Sequence, residues 1–234
     1  MMTKSPICVS LGPGDPELIT LKSLRILQTV QRIYCPGTTV KGKTLSRSLD
    51  IMSELGIDTD KITLFSVPMS KDRGAAEEAY LQVAKDIKSA YEQGLYVAFV
   101  AEGDCGFYSS AHYISDYLFD MGVETERVPG VPAFIACGAL ARLHIVKQDE
   151  ILNVVPSDIT LERVTNILDE GGTIVLMKLS LHEEPIKQII KTCREATFHY
   201  FENAGLPEKE FYSTDKNTIL DRKYPYFSIM IIKR

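Results

Sequence analysis

The chain has 234 residues, 45% hydrophobic and 24% charged, with a formal net charge of -5 and a pI near 5.5. Acids and bases are interspersed, which argues against a basic nucleic-acid patch and against an acidic tail, and no apolar run approaches the roughly 20 residues of a membrane span. The size suffices for one large core or two compact ones.

The N-terminal MMTKSPICVSLGPGD shows neither the apolar region nor the cleavage site of a signal peptide. Strands and helices then alternate. ICVSL (Ile7–Leu11) reads as a buried strand, followed by the turn Gly12-Pro13-Gly14-Asp15-Pro16. Glu17–Val30 has apolar residues at helical spacing, with Leu18, Leu21, Leu24, Ile26, Leu27 and Val30 on one face. Arg32–Cys35 reads as a strand ended by Pro36-Gly37, and Thr44–Leu55 as a helix stopped by Gly56. Lys61–Val67 is a third strand and Gly74–Gln93 a long helix closed by Gly94. The nearly continuous apolar Leu95–Ala101 suits a strand covered on both faces. Ser109–Met121 reads as a helix, and Val123–Val128 as a strand ending at Pro129-Gly130. This alternation predicts a mostly parallel five-stranded sheet with helices on both sides.

Past residue 130 the character changes. Val131–Leu143 reads as a helix rich in small residues. ILNVVPS, TIVLMKL, FHYFENAG, EKEFYST and YFSIMII supply five strand-like segments, with clear helices only at Leu161–Glu170 and Glu183–Ala196. Two later strands follow each other without a helix, so the second sheet is expected to be mixed. The sequence thus predicts two α/β domains, 1–130 and 131–234, with a cleft between them.

Chemistry is expected beyond the carboxyl ends of the strands. The first such loop, GPGDP, has the position of a phosphate turn but lacks the third glycine of GxGxxG and the Gly-Lys-Ser/Thr of a P-loop. Pro13 and Pro16 remove two N–H donors and Asp15 repels phosphate. It reads either as an N-capping tight turn or as a loop facing a cationic or neutral ligand. VAEGDCGFYSS places Glu102-Gly103-Asp104 directly after an apolar strand, with Ser109-Ser110 as cap-type residues. RVPGVPAFIACGA lets a helix start approach a ligand closely. Met177 ends another apolar strand, where a core role competes with ligand contact. Asn203-Ala204-Gly205 follows a further strand end. His112, His144, His182 and His199 have no metal-ligand spacing, so no metal is expected. Cys8, Cys35, Cys105, Cys137 and Cys193 are odd in number and form no CxxC, as reduced cytoplasmic thiols would.

Taken in order, GPGDPELITLKSLRIL, EGD-xx-FYSS, ERVPGVPAF, LMK and ENAGLPEKE resemble the tetrapyrrole methylase family over nearly the whole chain. These are S-adenosylmethionine-dependent methyltransferases of the cobalamin and sirohaem pathways. PMSKDRGAAEEAY (Pro68–Tyr80) is similar to the branch that methylates C20 of precorrin-2 or of cobalt-precorrin-2. The resemblance implies a homodimer of two-domain chains and a folded cofactor in the cleft. It places cofactor contacts at Pro13, at Glu102, Gly103 and Asp104, and at Ser109 or Ser110. Others fall at Pro132 or Ala133, at Met177, and at Ala204 or Gly205. Where the family usually has Gly-Asp-Pro, this chain has Gly103-Asp104-Cys105, which frees φ and restores an N–H.

A sulfonium cofactor agrees with a loop rich in carboxylates and poor in N–H donors. Asp104 is the best candidate partner for its ribose or amine, and Met177 could pack on its adenine or thioether. A substrate with many carboxylates would need a basic lining; Lys71 and Arg73, with Lys41, Lys43 and Arg47, are candidates or else solvated loop charges. No general base stands out. The alternatives are another tetrapyrrole methylase, such as one acting on uroporphyrinogen III, a nucleotide-binding oxidoreductase, and a non-catalytic carrier.

Overall fold

A computed structural model describes residues 4–40, 43–68, 73–156 and 158–234. The chain divides into two compact units, Met1–Pro132 and Ala133–Arg234.

The first unit contains β1 (Ile7–Ser10), α1 (Leu21–Thr29), β2 (Arg32–Val40), β3 (Lys43–Leu45) and α2 (Arg47–Glu54). It continues with β4 (Ile62–Ser66), α3 (Arg73–Glu92), β5 (Val97–Ala101), α4 (Ala111–Asp120) and β6 (Glu126–Val128). Five strands form a parallel sheet in the order β4-β2-β5-β1-β6, and β3 adds an antiparallel hairpin on β2. The sheet is therefore six-stranded among the described residues, one strand more than the sequence pattern predicts. β1 and β5 are wholly buried, with helices packed on both sides as a parallel sheet requires. One core layer gathers Leu27, Ile51 and Met52 from α1 and α2 against Val9, Ile33 and Val100. The other gathers Ala84, Ile87, Ile114 and Leu118 from α3 and α4 against Cys8 and Phe99.

Several boundaries differ from the sequence reading, and three have a clear local cause. The helix expected over 17–30 is broken: Pro16–Leu18 is a single 3-10 turn capped by Asp15, Ile19 and Thr20 are extended, and α1 begins at Leu21 with Thr20 accepting from the Ser23 N–H. Leu18 and Leu21 are consequently exposed rather than on the buried face. β2 runs through Pro36-Gly37 instead of ending there. Pro36 is tolerated because β5 pairs only with Arg32–Tyr34, leaving one side of β2 free of a ladder at that point. Finally, Thr44 belongs to β3, and the following helix starts at Arg47, with Ser46 as its N-cap.

The second unit contains α5 (Ala133–Leu140), β7 (Leu152–Val155), α6 (Leu161–Asp169), β8 (Thr173–Met177) and α7 (Glu183–Thr192). It ends with β9 (Thr197–Glu202), β10 (Phe211–Ser213), α8 (Lys216–Asp221) and β11 (Ser228–Lys233). Its five-stranded sheet has the order β10-β9-β11-β8-β7; only β7 and β8 are parallel. The sheet is mixed, as the missing helix between β9 and β10 implies. The short α8 has no clear sequence signal beyond its cap, Asp215, which accepts from the Thr218 N–H.

Candidate functional site

In the first unit the ends of β1, β5 and β6 are neighbours, and their loops are stapled together by hydrogen bonds. Leu11 N–H extends the ladder to Ala101 O at 2.9 Å. Beyond it, Gly12 and Gly103 exchange backbone bonds of 3.1 and 2.6 Å, an isolated antiparallel bridge between the Gly-Pro-Gly-Asp and Glu-Gly-Asp turns. Both glycines have positive φ, +81° and +65°, which a side chain would strain. A Cβ on Gly12 would lie 2.9 Å from Leu18 O.

Ser10 joins the third loop. Its fully buried Oγ donates to Val128 O at 2.7 Å and accepts from the Cys105 N–H at 2.8 Å. The N–H gained by having Cys105 in place of proline is thus used. The Cys105 Sγ lies against Cys8 O and Val128 O, at 4.0 and 3.6 Å. The Cys8 thiol is pushed well up by its hydrogen bond with Cys105 and by burial. Asp104 closes the staple: Oδ1 accepts from Gly106 N–H at 2.8 Å and Oδ2 from Gly130 N–H at 2.7 Å. Gly130 has no room for a side chain, since a Cβ would lie 2.5 Å from both Gly103 O and Ser10 Cβ.

α2 reaches the same turns from its first residues. Arg47, half-buried, donates from Nη2 to Pro13 O at 2.7 Å. Ser48 Oγ donates to Glu102 Oε1 at 3.4 Å. Burial raises the Glu102 carboxyl above its ordinary value, against the opposing pull of the Arg47 charge and the Ser48 hydroxyl. Arg47 therefore faces these turns. Ser109 Oγ accepts from the Ala111 N–H at 3.2 Å, while Ser110, at the N-cap of α4, makes no side-chain cap bond.

Pro13, Glu102, Gly103, Asp104 and Pro132 are thus brought together in the first unit. A Cβ on Gly103 would meet nothing closer than Pro132 Cα at 4.0 Å, so the space over this glycine is open. Lys71 lies outside the described residues, as do Lys41 and the side chains of Lys43 and Arg73.

In the second unit, register pairs Met177 with Ile229 and Ile229 with Phe201, so Met177 and the Asn203-Ala204-Gly205 loop lie at the same end of the sheet. Ala133 opens α5. Glu202, just before that loop, is held at Oε1 by Arg222 Nε (2.6 Å) and Tyr200 OH (2.7 Å), and at Oε2 by Arg222 Nη2 (2.8 Å). Asn203 N–H donates to Phe227 O at 2.8 Å and Gly205 N–H to Glu210 Oε1 at 2.7 Å. Left-handed non-glycine residues mark three of the candidate loops: Tyr108 (φ +49°), Lys178 (+59°) and Asn203 (+50°). Such strain, of order 1–3 kcal/mol each, gathers at functional loops.

Sequence reasoning missed Ser10, Ser48 and Glu202, and gave Arg47 another partner. Ser10 carried a usable signal, a lone hydroxyl at the end of an apolar strand that burial obliges to find partners. Among the described residues no group of three or more His, Cys, Asp or Glu could hold a metal ion, and no helix is long and apolar enough to cross a membrane.

Residues 7–219 match the model of the Tetrapyrrole (Corrin/Porphyrin) Methylases. The chain is 30% identical to a probable cobalt-precorrin-2 C(20)-methyltransferase of Methanocaldococcus jannaschii, covering 100% of this chain and 97% of that protein. It is 28% identical to the cobalt-precorrin-2 C(20)-methyltransferase of Salmonella typhimurium, covering 97% and 94%. The crystal structure of a cobalt precorrin-4 methyltransferase superposes with a TM-score of 0.74 at 19% identity, covering 97% of this chain and 94% of that one. A uroporphyrin-III C-methyl transferase of Thermus thermophilus, complexed with S-adenosyl homocysteine, gives 0.66 at 17% identity, covering 99% and 98%. The chain belongs to the tetrapyrrole (corrin/porphyrin) methylase family.

Proposed function

We propose that this protein transfers the methyl group of S-adenosylmethionine to C20 of precorrin-2 or of cobalt-precorrin-2, in cobalamin synthesis. The observation that carries the reading is the end-to-end match to two C(20)-methyltransferases. The donor set fits the cofactor. Glu102 and Asp104 offer carboxylates, Pro13 and Pro16 withhold N–H groups, and the space over Gly103 is open. A sulfonium is tolerated by such a lining where a phosphate would be repelled.

S-adenosylmethionine supplies an activated methyl whose sulfonium is already a good leaving group, so the proposed chemistry asks for no protein-bound metal. Pro13, Glu102, Gly103, Asp104 and Pro132 would hold it in the first unit, with Ser109 or Ser110 at the start of α4. Ala133, Met177, Ala204 and Gly205 are the proposed contacts of the second unit. The work of these residues is to orient donor and acceptor, to within about 3–3.5 Å of reacting atoms, and to exclude water. Lys71 and Arg73 are proposed to anchor substrate carboxylates. If Arg73→Ala leaves substrate KM unchanged in a folded protein, that role is wrong. A homodimer in the cytoplasm completes the proposal; light scattering on the purified protein tests the first part.

The deciding experiment incubates the protein with methyl-labelled S-adenosylmethionine and precorrin-2, with and without cobalt. The expected product carries one new methyl at C20 by carbon NMR. A methyl at another carbon would make it a different tetrapyrrole methylase, and cofactor binding without turnover would make it a carrier.

A further inference from the structure

The loop between β9 and β10, residues 203–210, carries two of the proposed donor contacts, Ala204 and Gly205. It opens on Asn203 with φ +50°. A left-handed non-glycine residue persists only where its surroundings over-determine it. Asn203 N–H donates to Phe227 O at 2.8 Å, and Gly205 N–H donates to Glu210 Oε1 at 2.7 Å. The Gly205 bond closes the loop on itself, so it needs the two strand ends held at a fixed spacing. Arg222, just past α8, reaches both ends. Its Nε and Nη2 donate to the two oxygens of Glu202 at 2.6 and 2.8 Å, the fork geometry of a guanidinium on a carboxylate. The same guanidinium lies 3.7 Å from the centre of the Phe211 ring. Glu202 ends β9, Phe211 opens β10, and the two are partners in the ladder. One side chain thus grips both strands at the last pair before the loop.

We infer that Arg222 is a positioning residue: it clamps the stem of the 203–210 loop and so holds Ala204 and Gly205 in place for the methyl donor. The inference rests on the donor contacts proposed for the second unit. The physical case has two parts. Glu202 is buried, and a buried carboxylate keeps its place only while it is paired. Without the guanidinium it retains, of these bonds, the Tyr200 hydroxyl at 2.7 Å, and it recovers solvation by moving toward water. That movement shifts the end of β9, next to Asn203. Phe211 loses its stacked cation at the same time. Its chain neighbour Glu210 carries the carboxylate that closes on Gly205, so loosening β10 reaches Gly205 through a single residue. Lysine would keep the charge but lose the planar fork that serves two carboxylate oxygens and an aromatic face at once.

The test uses the full chain and two readouts. Hydrogen exchange read by mass spectrometry follows local opening of residues 203–210. Calorimetry measures binding of S-adenosylhomocysteine. Arg222→Met is expected to speed exchange in that loop and to weaken binding, each about tenfold, the scale of one left-handed residue losing its support. Exchange in β7 and β8 is expected to stay as in wild type. Arg222→Lys, the milder variant if Arg222→Met does not fold, is expected to show a smaller change in both readouts. Lys216→Met is the control for general destabilisation. Lys216 Nζ donates to Cys193 O and Arg194 O, at 2.8 and 3.3 Å, at the other end of β9. Its loss is expected to leave loop exchange and affinity unchanged. Arg222→Met with only one of the two changes, or with neither, would overturn the inference, as would an equal loss of affinity in Lys216→Met. Wild-type protein that fails to bind S-adenosylhomocysteine would instead overturn the donor-site reading, while loop exchange in Arg222→Met would still report on the clamp.

Discussion

Ser10 and Cys105 show how much of this site is decided by single hydrogen bonds. Ser10 Oγ is fully buried and has two partners, one from the loop after β5 and one from the end of β6. Replacing Cys105 by the proline usual in the family removes the N–H that Ser10 accepts. Ser10 Oγ keeps its bond to Val128 O, so Cys105→Pro is expected to destabilise this chain by about 0.5–1.5 kcal/mol, the net worth of one hydrogen bond, as read from urea denaturation. Gly130→Ala is expected to cost about 1–3 kcal/mol through overpacking, since the added Cβ meets backbone at Gly103 O. The sequence shows a Pro-Gly turn at 129–130 but not this contact, because it joins residues 27 positions apart. Asp104 is the instructive case. Its place in the loop was legible from the sequence, and the resemblance made it a donor contact. The structure shows both its oxygens already engaged with backbone N–H groups of Gly106 and Gly130. Any contact it makes to a ligand comes in addition to that staple.

At the scale of elements, the half-buried Glu102 just past β5 and the buried Glu202 at the end of β9 respond to pH with opposite sign. Burial raises Glu102. A raised carboxyl contributes stability that is complete below its unfolded value and is lost as pH rises through the folded one. Glu202 is also opposed by burial, but the hydrogen bonds from Arg222 and Tyr200 outweigh it and leave its carboxyl below the ordinary value. Its contribution is present above the unfolded value of about 4.3 and is lost as pH falls through the folded one. Arg222→Met is expected to remove that contribution, lowering stability at neutral pH by about 1–3 kcal/mol because Arg222 is only partly shielded. The acid limb of its stability curve should flatten, the variant and wild-type curves converging as pH falls through the folded Glu202 value, measured by denaturation between pH 3 and 7. An unchanged limb would mean that Tyr200 alone holds Glu202. Most elements were legible because burial on both sheet faces writes apolar runs such as Val97–Ala101 directly into the sequence. The failures have local causes. Thr20 is a better cap than the acidic stretch before it, which shortened the first helix. A three-residue hairpin strand, β3, is too short to show a period.

The whole molecule is two α/β units that differ in sheet type, mostly parallel in the first and mostly antiparallel in the second. Family membership follows from the match over residues 7–219 and from relatives aligned nearly end to end. The order of short motifs already pointed there, because each motif is a loop at a strand end and loop order follows topology. Substrate choice was less legible, since the basic residues suggested for it sit in segments such as 69–72 whose pattern is only charge. The central claim is methyl transfer to C20, and one measurement tests it most directly. Purified protein is supplied with methyl-labelled S-adenosylmethionine and either precorrin-2 or cobalt-precorrin-2, and the product is read by carbon NMR. The account predicts a single labelled methyl at C20 from at least one of the two substrates. A label at any other carbon, or no label while the donor is bound, would contradict it.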